Sequence, residues 1–267
     1  GSTGKPKGVK ITNKNFISCL NGQLNHIYKY FKKTKLVFGD YHHTSFIISL
    51  TILLPCVYLC AKISPAIKVE DKLFVLNHIV KNKVNCIVTL PSTINTIKSL
   101  YKNNLNLKLT ALLMCGEPFY YDSLKFITDK LKPKYLFNCY GSTELSPWVF
   151  SYKYEKKDLY EIKNIGLVPI GRSFYNVNTL VKKDELLING PMVNEYLSSK
   201  QNDQNHKIIS KKLWYLTNDK IKIVKNLFYI LGRSDSVVKL RGYRIELRGI
   251  EAKIREYVHI KNCFVFF

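Results

Sequence analysis

Leu109-Thr110-Ala111-Leu112-Leu113-Met114-Cys115-Gly116-Glu117-Pro118 is an apolar run of strand length that breaks into a turn at its carboxyl end. The segments on either side repeat the pattern. Val84-Asn85-Cys86-Ile87-Val88-Thr89-Leu90 is a second run of this kind, and residues 92–101 between the two are patterned as a helix. Residues 121–131 are helix-like again, and Tyr135-Leu136-Phe137-Asn138-Cys139 is a third strand, leading directly into Tyr140-Gly141-Ser142-Thr143-Glu144. Strands that alternate with helices predict an α/β fold, a largely parallel sheet covered on both faces. Ligands of such sheets bind beyond the carboxyl ends of the strands. The polar turns at 116–118 and 140–144 therefore mark the predicted site.

Toward the amino end, Thr12 is placed to cap a helix whose apolar positions Phe16, Leu20, Leu24, Ile27 and Phe31 recur at helical spacing. Leu36-Val37-Phe38 reads as a short strand. The apolar run Phe46–Ala61 is too short for a membrane span and carries Pro55 in its middle, so a buried helix is expected there. From about residue 165 the texture changes to short β-like pieces, at Asn178–Val181, Glu185–Ile188, Ile221–Val224 and Leu227–Leu231. Ser198–His206 is expected to be an exposed loop, and helical patterning returns after Ile245.

The formal charge of +23 invites a nucleic-acid reading. The type of basic residue argues against it. Lysine supplies nearly all of the charge, and the six arginines all lie after residue 170. Lysines spread over solvated positions indicate a compositional bias and no dedicated nucleic-acid face; a polyanion-binding protein is the weakest alternative. The seven cysteines form no CxxC pair and sit mostly in apolar runs. That pattern predicts a reducing, cytoplasmic setting with neither a disulfide framework nor a zinc site.

Several strings carry chemistry. Gly1-Ser2-Thr3-Gly4-Lys5-Pro6-Lys7-Gly8 has the composition of a phosphate-binding loop, with close backbone approach, hydroxyl donors and cations. Pro6 stands where the P-loop of ordinary NTPases has Ser or Thr after the lysine. In Tyr140-Gly141-Ser142-Thr143-Glu144, a ring suited to a purine, two hydroxyls suited to a phosphate and a carboxylate suited to Mg²⁺ fall together. Tyr215-Leu216-Thr217-Asn218-Asp219 offers a carboxylate for a vicinal diol, or alternatively a solvated turn aspartate. Four of the six arginines lie within 233–248, in Gly232-Arg233-Ser234-Asp235 and the stretch that follows, where the bias toward lysine makes a planar guanidinium informative.

In order and approximate spacing, these strings resemble the adenylate-forming superfamily of acyl-CoA synthetases, beetle luciferases and nonribosomal peptide synthetase adenylation domains. The resemblance implies ATP and Mg²⁺ as cofactors, a small carboxylic acid as substrate, and a phosphopantetheine thiol, of CoA or of an acyl or peptidyl carrier protein, as acceptor. It assigns Ser2, Thr3, Gly4, Lys5 and Lys7 to the β- and γ-phosphates. Gly116, Glu117 and Pro118 would border the adenine, and Asn138, Tyr140 and Gly141 would complete the nucleotide site, with Tyr140 stacking on the base. Thr143 would contact the α-phosphate, Glu144 would hold Mg²⁺, and Asp219 would bind the ribose with Arg233 as partner. Asp235 would be a hinge, and Lys239 and Gly242 would lie on the small-lobe face. The implied organisation is an α/β ATP-binding core over 1–164, a β-rich subdomain over 165–234, and a hinge with the start of a small lobe over 235–267.

The departures from the family pattern are specific. Asn218 replaces a glycine, a mild change because asparagine tolerates left-handed backbone. Arg248-Gly249 replaces a small residue and a glutamate. Aligning Phe46-Ile47-Ile48-Ser49 puts Ile47 where amino-acid-activating members carry an aspartate, and a buried ammonium without a counter-charge is costly. The other alignment matches His42 or His43 to the histidine of acyl-CoA synthetases. A lining of Ile47, Thr51, Leu113, Cys115, Cys139, Pro147 and Trp148 then favours an aliphatic or aromatic acid, with an amino-acid adenylation domain as alternative. The resemblance also implies that the chain is the middle of a family member, without its first third and late catalytic lysine, and inactive alone. A degenerate adenylate-binding remnant is the third reading.

Overall fold

The structure is a computed structural model that describes residues 7–31, 34–42, 46–68, 70, 74–101, 107–198, 204–235, 237–240, 243–247 and single positions beyond. The chain opens with β1 (Val9–Lys10) and α1 (Asn13–His26). Thr12 caps α1 as its sequence predicts. Its hydroxyl accepts from the Asn15 N–H at 3.2 Å, and the Asn15 side chain accepts from the Thr12 N–H at 2.9 Å. The apolar stripe outruns the helix. A 3₁₀ turn over Tyr28–Tyr30 takes over from α1, and Ile27, Tyr28 and Phe31 remain in the core.

The central sheet comprises β2 (Val37–Asp40), β3 (Lys62–Pro65), β4 (Cys86–Thr89), β5 (Ala111–Cys115), β6 (Tyr135–Tyr140), β7 (Phe150–Lys153) and β8 (Arg172–Ser173). Its order is β3-β2-β4-β5-β6-β7-β8, parallel through β6 and antiparallel for the last two strands. Strand alternation explains why the predicted runs are apolar throughout. Cys86, Val88, Leu113, Cys115, Phe137 and Cys139 share one buried cluster with α1 and with α2 (Leu50–Tyr58). Ile87, Leu112, Met114 and Leu136 join the other, with helices Val75–Lys81, Pro91–Leu100 and Tyr121–Phe126.

The apolar run 46–61 is only half-buried, which corrects the expectation of a buried helix. A 3₁₀ turn over Ile47–Ser49 leads into α2, whose Thr51, Ile52, Pro55 and Cys56 are buried while Leu53, Val57 and Tyr58 are exposed. Pro55 has no N–H to give the carbonyl four residues back. The Tyr28 hydroxyl, deep in the core, donates to that Thr51 carbonyl instead, at 3.1 Å. Among the described residues no helix is long and apolar enough to cross a membrane, and Cys19, Cys56, Cys60, Cys86, Cys115 and Cys139 form no disulfide with one another.

A second, antiparallel sheet follows: β9 (Asn178–Lys182), β10 (Glu185–Asn189), then β11 (Glu195–Tyr196), which leaves it to pair with β1, then β12 (His206–Ile209), β13 (Lys212–Val224) and β14 (Leu227–Arg233). Its order is β12-β13-β10-β9, with β14 added to β13. The expected short strand at 221–224 is the end of β13, which runs for 13 residues. The expected loop also needs correcting at its end, because His206 is buried and begins β12; residues 199–203 lie outside the described residues. A last hairpin pairs β15 (Val237–Leu240) with β16 (Tyr243–Glu246). The helical patterning beyond it falls mostly outside the described residues.

Gly171, just before β8, joins the sheets through a bridge to Phe228. Its φ is +81°, and a Cβ there would lie 2.2 Å from the Ser151 carbonyl oxygen. Gly171→Ala is therefore expected to lower stability by about 2 kcal/mol or more, read as a lower urea midpoint; an unchanged midpoint would contradict this junction.

Candidate active site

The central sheet ends toward the second sheet at Tyr140, the last residue of β6. The turn after it is tight, since a Cβ on Gly141 would fall 1.9 Å from the Pro147 carbonyl oxygen. Tyr140 is buried, its ring edge-on to Phe150, and its hydroxyl donates to the Asp219 carboxylate. Asp219 is no solvated turn residue. It lies buried within β13, opposite Arg233 on β14. Arg233 Nη1 donates to Asp219 Oδ1 at 2.9 Å, while its Nε and Nη2 donate to the two oxygens of Asp235 at 2.7 and 2.6 Å. Asn218 holds a left-handed φ of 58°, as its replacement of glycine leads one to expect, and its side chain reaches Asp235 at 3.4 Å.

Four residues predicted from three separate strings thus form one connected group, from Tyr140 through Asp219 and Arg233 to Asp235. Burial raises the Tyr140 pKa, and the adjoining Asp219 charge raises it further, so the phenol stays a donor. Burial alone would disfavour the guanidinium charge. The Asp235 and Asp219 carboxylates outweigh it and hold Arg233 above its ordinary value.

Beyond Gly141 the chain makes a 3₁₀ turn over Thr143–Leu145. Thr143 is exposed and Glu144 is buried. The Ser142 hydroxyl oxygen is buried with no hydrogen-bond partner among the described residues, an orphan that suits a ligand oxygen. Glu144 Oε1 accepts from the Tyr196 hydroxyl at 2.8 Å. Asn194 secures the same turn from the other strand. Its N–H donates to the Glu144 carbonyl at 2.8 Å and its side-chain amide to the Thr143 carbonyl at 2.8 Å. The Ser146 hydroxyl donates to Asn194 Oδ1 at 2.9 Å, and His206 Nε2 donates to the Asn194 carbonyl at 3.0 Å.

Asn194, Tyr196 and His206 were not predicted as site residues. The only signal for them is polar residues placed in apolar β-texture. Lys7 reaches the same place, its ammonium 6.0 Å from the Tyr196 ring centre. Ser2, Thr3, Gly4 and Lys5 lie outside the described residues. Among those described, no group of three His, Cys, Asp or Glu side chains gathers as a metal site. One buried carboxylate beside an unpartnered hydroxyl still fits Mg²⁺, which is commonly bound by one or two carboxylates together with substrate phosphates.

Other predicted residues are placed differently. Gly116 leaves β5 with φ +82°, and Glu117 Oε2 accepts from the Ser92 N–H at 2.9 Å, tying the β5 turn to the start of helix Pro91–Leu100; Pro118 follows in the same loop. The Asn138 side-chain amide donates to the Val168 and Pro169 carbonyls at 3.2 and 3.0 Å, tying β6 to that loop. His42 Nε2 donates to the Val88 carbonyl at 3.1 Å; His43 lies outside the described residues. Lys239 lies on β15, its side chain outside the described residues, as is Gly242.

Thr51, Leu113, Cys115, Cys139, Pro147 and Trp148 are all buried. Burial also pushes the Cys139 thiol up, so it acts as an apolar filler. Ile47 is half-buried, and its neighbour Ile48 packs on this cluster. Because Arg233 is enclosed with two carboxylates, Arg233→Leu is expected to cost about 3–5 kcal/mol by leaving them unpaired. Chemical denaturation reads this cost, and a variant as stable as the parent would contradict the clasp.

Residues 1–193 match the family model of the AMP-binding enzymes. The chain is 27% identical over 280 residues to a D-alanine–D-alanyl carrier protein ligase of Staphylococcus epidermidis, covering 99% of this chain and 55% of that protein. A ligase of the same name from Lactococcus lactis is 26% identical over 272 residues, with 99% and 53% covered. The chain spans about half the length of the curated relatives it matches. Among solved structures, a Vibrio cholerae adenylation domain in complex with glycyl-adenosine-5'-phosphate superposes with a TM-score of 0.85 at 22% identity, over 98% of this chain and 52% of that one. An o-succinylbenzoate CoA synthetase from Bacillus subtilis superposes with a TM-score of 0.79 at 20% identity, over 98% and 54%. With the expected sheet in place and most of its length matched to the family, the chain belongs to the AMP-binding, adenylate-forming enzymes.

Proposed function

We propose that the protein couples ATP to the activation of a small carboxylic acid as its acyl-adenylate, releasing pyrophosphate, and passes the acyl group to the phosphopantetheine thiol of a carrier protein. The observation that carries this reading is the convergence of Tyr140, Asp219 and Arg233 beside the Thr143–Glu144 turn, at the carboxyl end of the parallel sheet. The Tyr140 ring offers a face for the base and the Asp219 carboxylate accepts from ribose hydroxyls. The Ser142 and Thr143 hydroxyls donate to the α-phosphate, while Lys7 and the residues before it surround the β- and γ-phosphates. Glu144 would hold Mg²⁺, which when bound neutralises charge on the phosphate oxygens.

The substrate carboxylate oxygen attacks the α-phosphorus as the bond to the pyrophosphate oxygen breaks. The side chains position the reactants and stabilise charge, and no covalent intermediate with the protein is required. A thiolate then attacks the acyl carbon and AMP leaves with its phosphate oxygen. In this scheme residues 1–164 and 165–234 make one large lobe and residues 235–267 begin a small one, with Asp235 at the hinge and Lys239 on the small-lobe face.

Burial of the pocket residues supports a small acid, and the names of the relatives favour D-alanine. A carrier-protein acceptor draws on the same names, with CoA as the other candidate thiol. A second reading rests on Ile47, which brings no charge to meet an ammonium group and favours a small acid without one. ATP–pyrophosphate exchange by the complete protein is expected with one of the two classes. Asp219→Ala and Glu144→Ala are each expected to lower kcat/KM for exchange by about 100-fold or more. Parent-like exchange in both variants would overturn the site, and no exchange with any acid from a folded, ATP-binding protein would favour a non-catalytic remnant.

A further inference from the structure

We infer that Tyr196 is a positioning residue that ties the phosphate-loop segment to the Glu144 carboxylate, held in place by Asn194 and His206. The inference rests on the reading of Glu144 as the group that holds the cation. Tyr196 touches both parts of the phosphate site at once. Its backbone lies opposite Val9 in the β1–β11 pair, and the next residue, Leu197, donates its N–H to the Gly8 carbonyl at 2.9 Å. Its ring lies beneath the Lys7 ammonium, and its hydroxyl donates to Glu144 Oε1 at 2.8 Å. Gly8 fits closely here, because a Cβ on it would lie 2.6 Å from a Leu197 methyl carbon. The loop therefore cannot shift along β11 without disturbing the side chain that orients the carboxylate.

The seat of Tyr196 is fixed from behind. The His206 ring lies 6.0 Å from the Tyr196 ring and 5.4 Å from that of Tyr215. A carbonyl only accepts, so the bond to the Asn194 carbonyl puts the His206 proton on Nε2 and leaves Nδ1 as an acceptor, buried and without a partner among the described residues. Asn194 in turn holds the backbone of Thr143 and Glu144. Groups that orient a metal-binding carboxylate act on metal affinity without touching the metal.

The test measures cation binding as well as turnover. Mn²⁺ is titrated into the complete protein with a non-hydrolysable ATP analogue, and free Mn²⁺ is followed by its EPR signal. Tyr196→Phe is expected to weaken Mn²⁺ by about 10-fold or more, with metal-free binding of the analogue and the thermal midpoint unchanged. His206→Phe keeps a ring against Tyr196 and removes the bond to Asn194. It is expected to shift Mn²⁺ affinity in the same direction by less, and it carries the test if Tyr196→Phe does not fold. Wild-type Mn²⁺ affinity in both folded variants, with a large loss in Glu144→Gln, would overturn the positioning role and leave the cation site standing. Wild-type affinity in Glu144→Gln would overturn the cation site and this role with it.

Discussion

Arg233 lies between two carboxylates, one on the strand paired with its own and one just beyond the end of its own strand. Asp219 belongs to the middle of a long strand, Asp235 follows the end of the next one, and Tyr140 closes the group from the central sheet. A guanidinium suits this position because its donors form a planar fork: one edge meets both oxygens of Asp235 while the remaining arm reaches Asp219. Lysine, which the composition favours elsewhere, offers a point charge and no such geometry. The antiparallel sheet and the segment leading to the last hairpin meet at this cation, and the central sheet joins them through the Tyr140 hydroxyl on Asp219. The same atoms form the nucleoside end of the proposed site, so the group that organises this part of the fold is also the one proposed to receive ATP.

The phosphate end is organised by a different device. The Thr143–Glu144 turn is held by hydrogen bonds from Asn194, and the Glu144 side chain by Tyr196, both on the short segment that pairs with the residues after the phosphate loop. The chain from Gly8 to Lys10, the turn and the carboxylate are therefore fixed relative to one another by a two-residue ladder and a few polar side chains. Preorganisation of this kind matters because phosphoryl-group chemistry depends on holding charges in place through the transition state. The apolar residues proposed to line the acid pocket, Leu113, Cys115, Cys139 and Trp148, belong to the core cluster that holds the sheet together.

Much of this was legible in the sequence. Runs such as Ala111–Cys115 are apolar at every position because both faces of the strand are covered, which points to a parallel sheet. The turns after them carry the polar residues, so the end of the sheet that holds the site could be read directly. Asn218 was identified as a tolerated glycine replacement, and its left-handed backbone agrees. What could not be read depends on contacts distant in sequence. Nothing local distinguishes the buried Asp219 from a solvated turn aspartate, or tells that His206 is enclosed between two tyrosines. The partial exposure of α2 was missed because a wholly apolar sequence has no polar face to announce it. The hold of the Asn138 amide on the Val168 and Pro169 carbonyls is likewise a distant contact, since its partners lie 30 and 31 residues along the chain.

The central claim is that Tyr140, Asp219 and Arg233 form a nucleoside pocket, and a crystal structure of the complete protein with bound AMP tests it most directly. The account predicts the adenine against the Tyr140 ring, the ribose hydroxyls on the Asp219 carboxylate and the phosphate beside Ser142 and Thr143. AMP bound elsewhere, with the Tyr140–Asp219–Arg233 group intact and untouched, would contradict it.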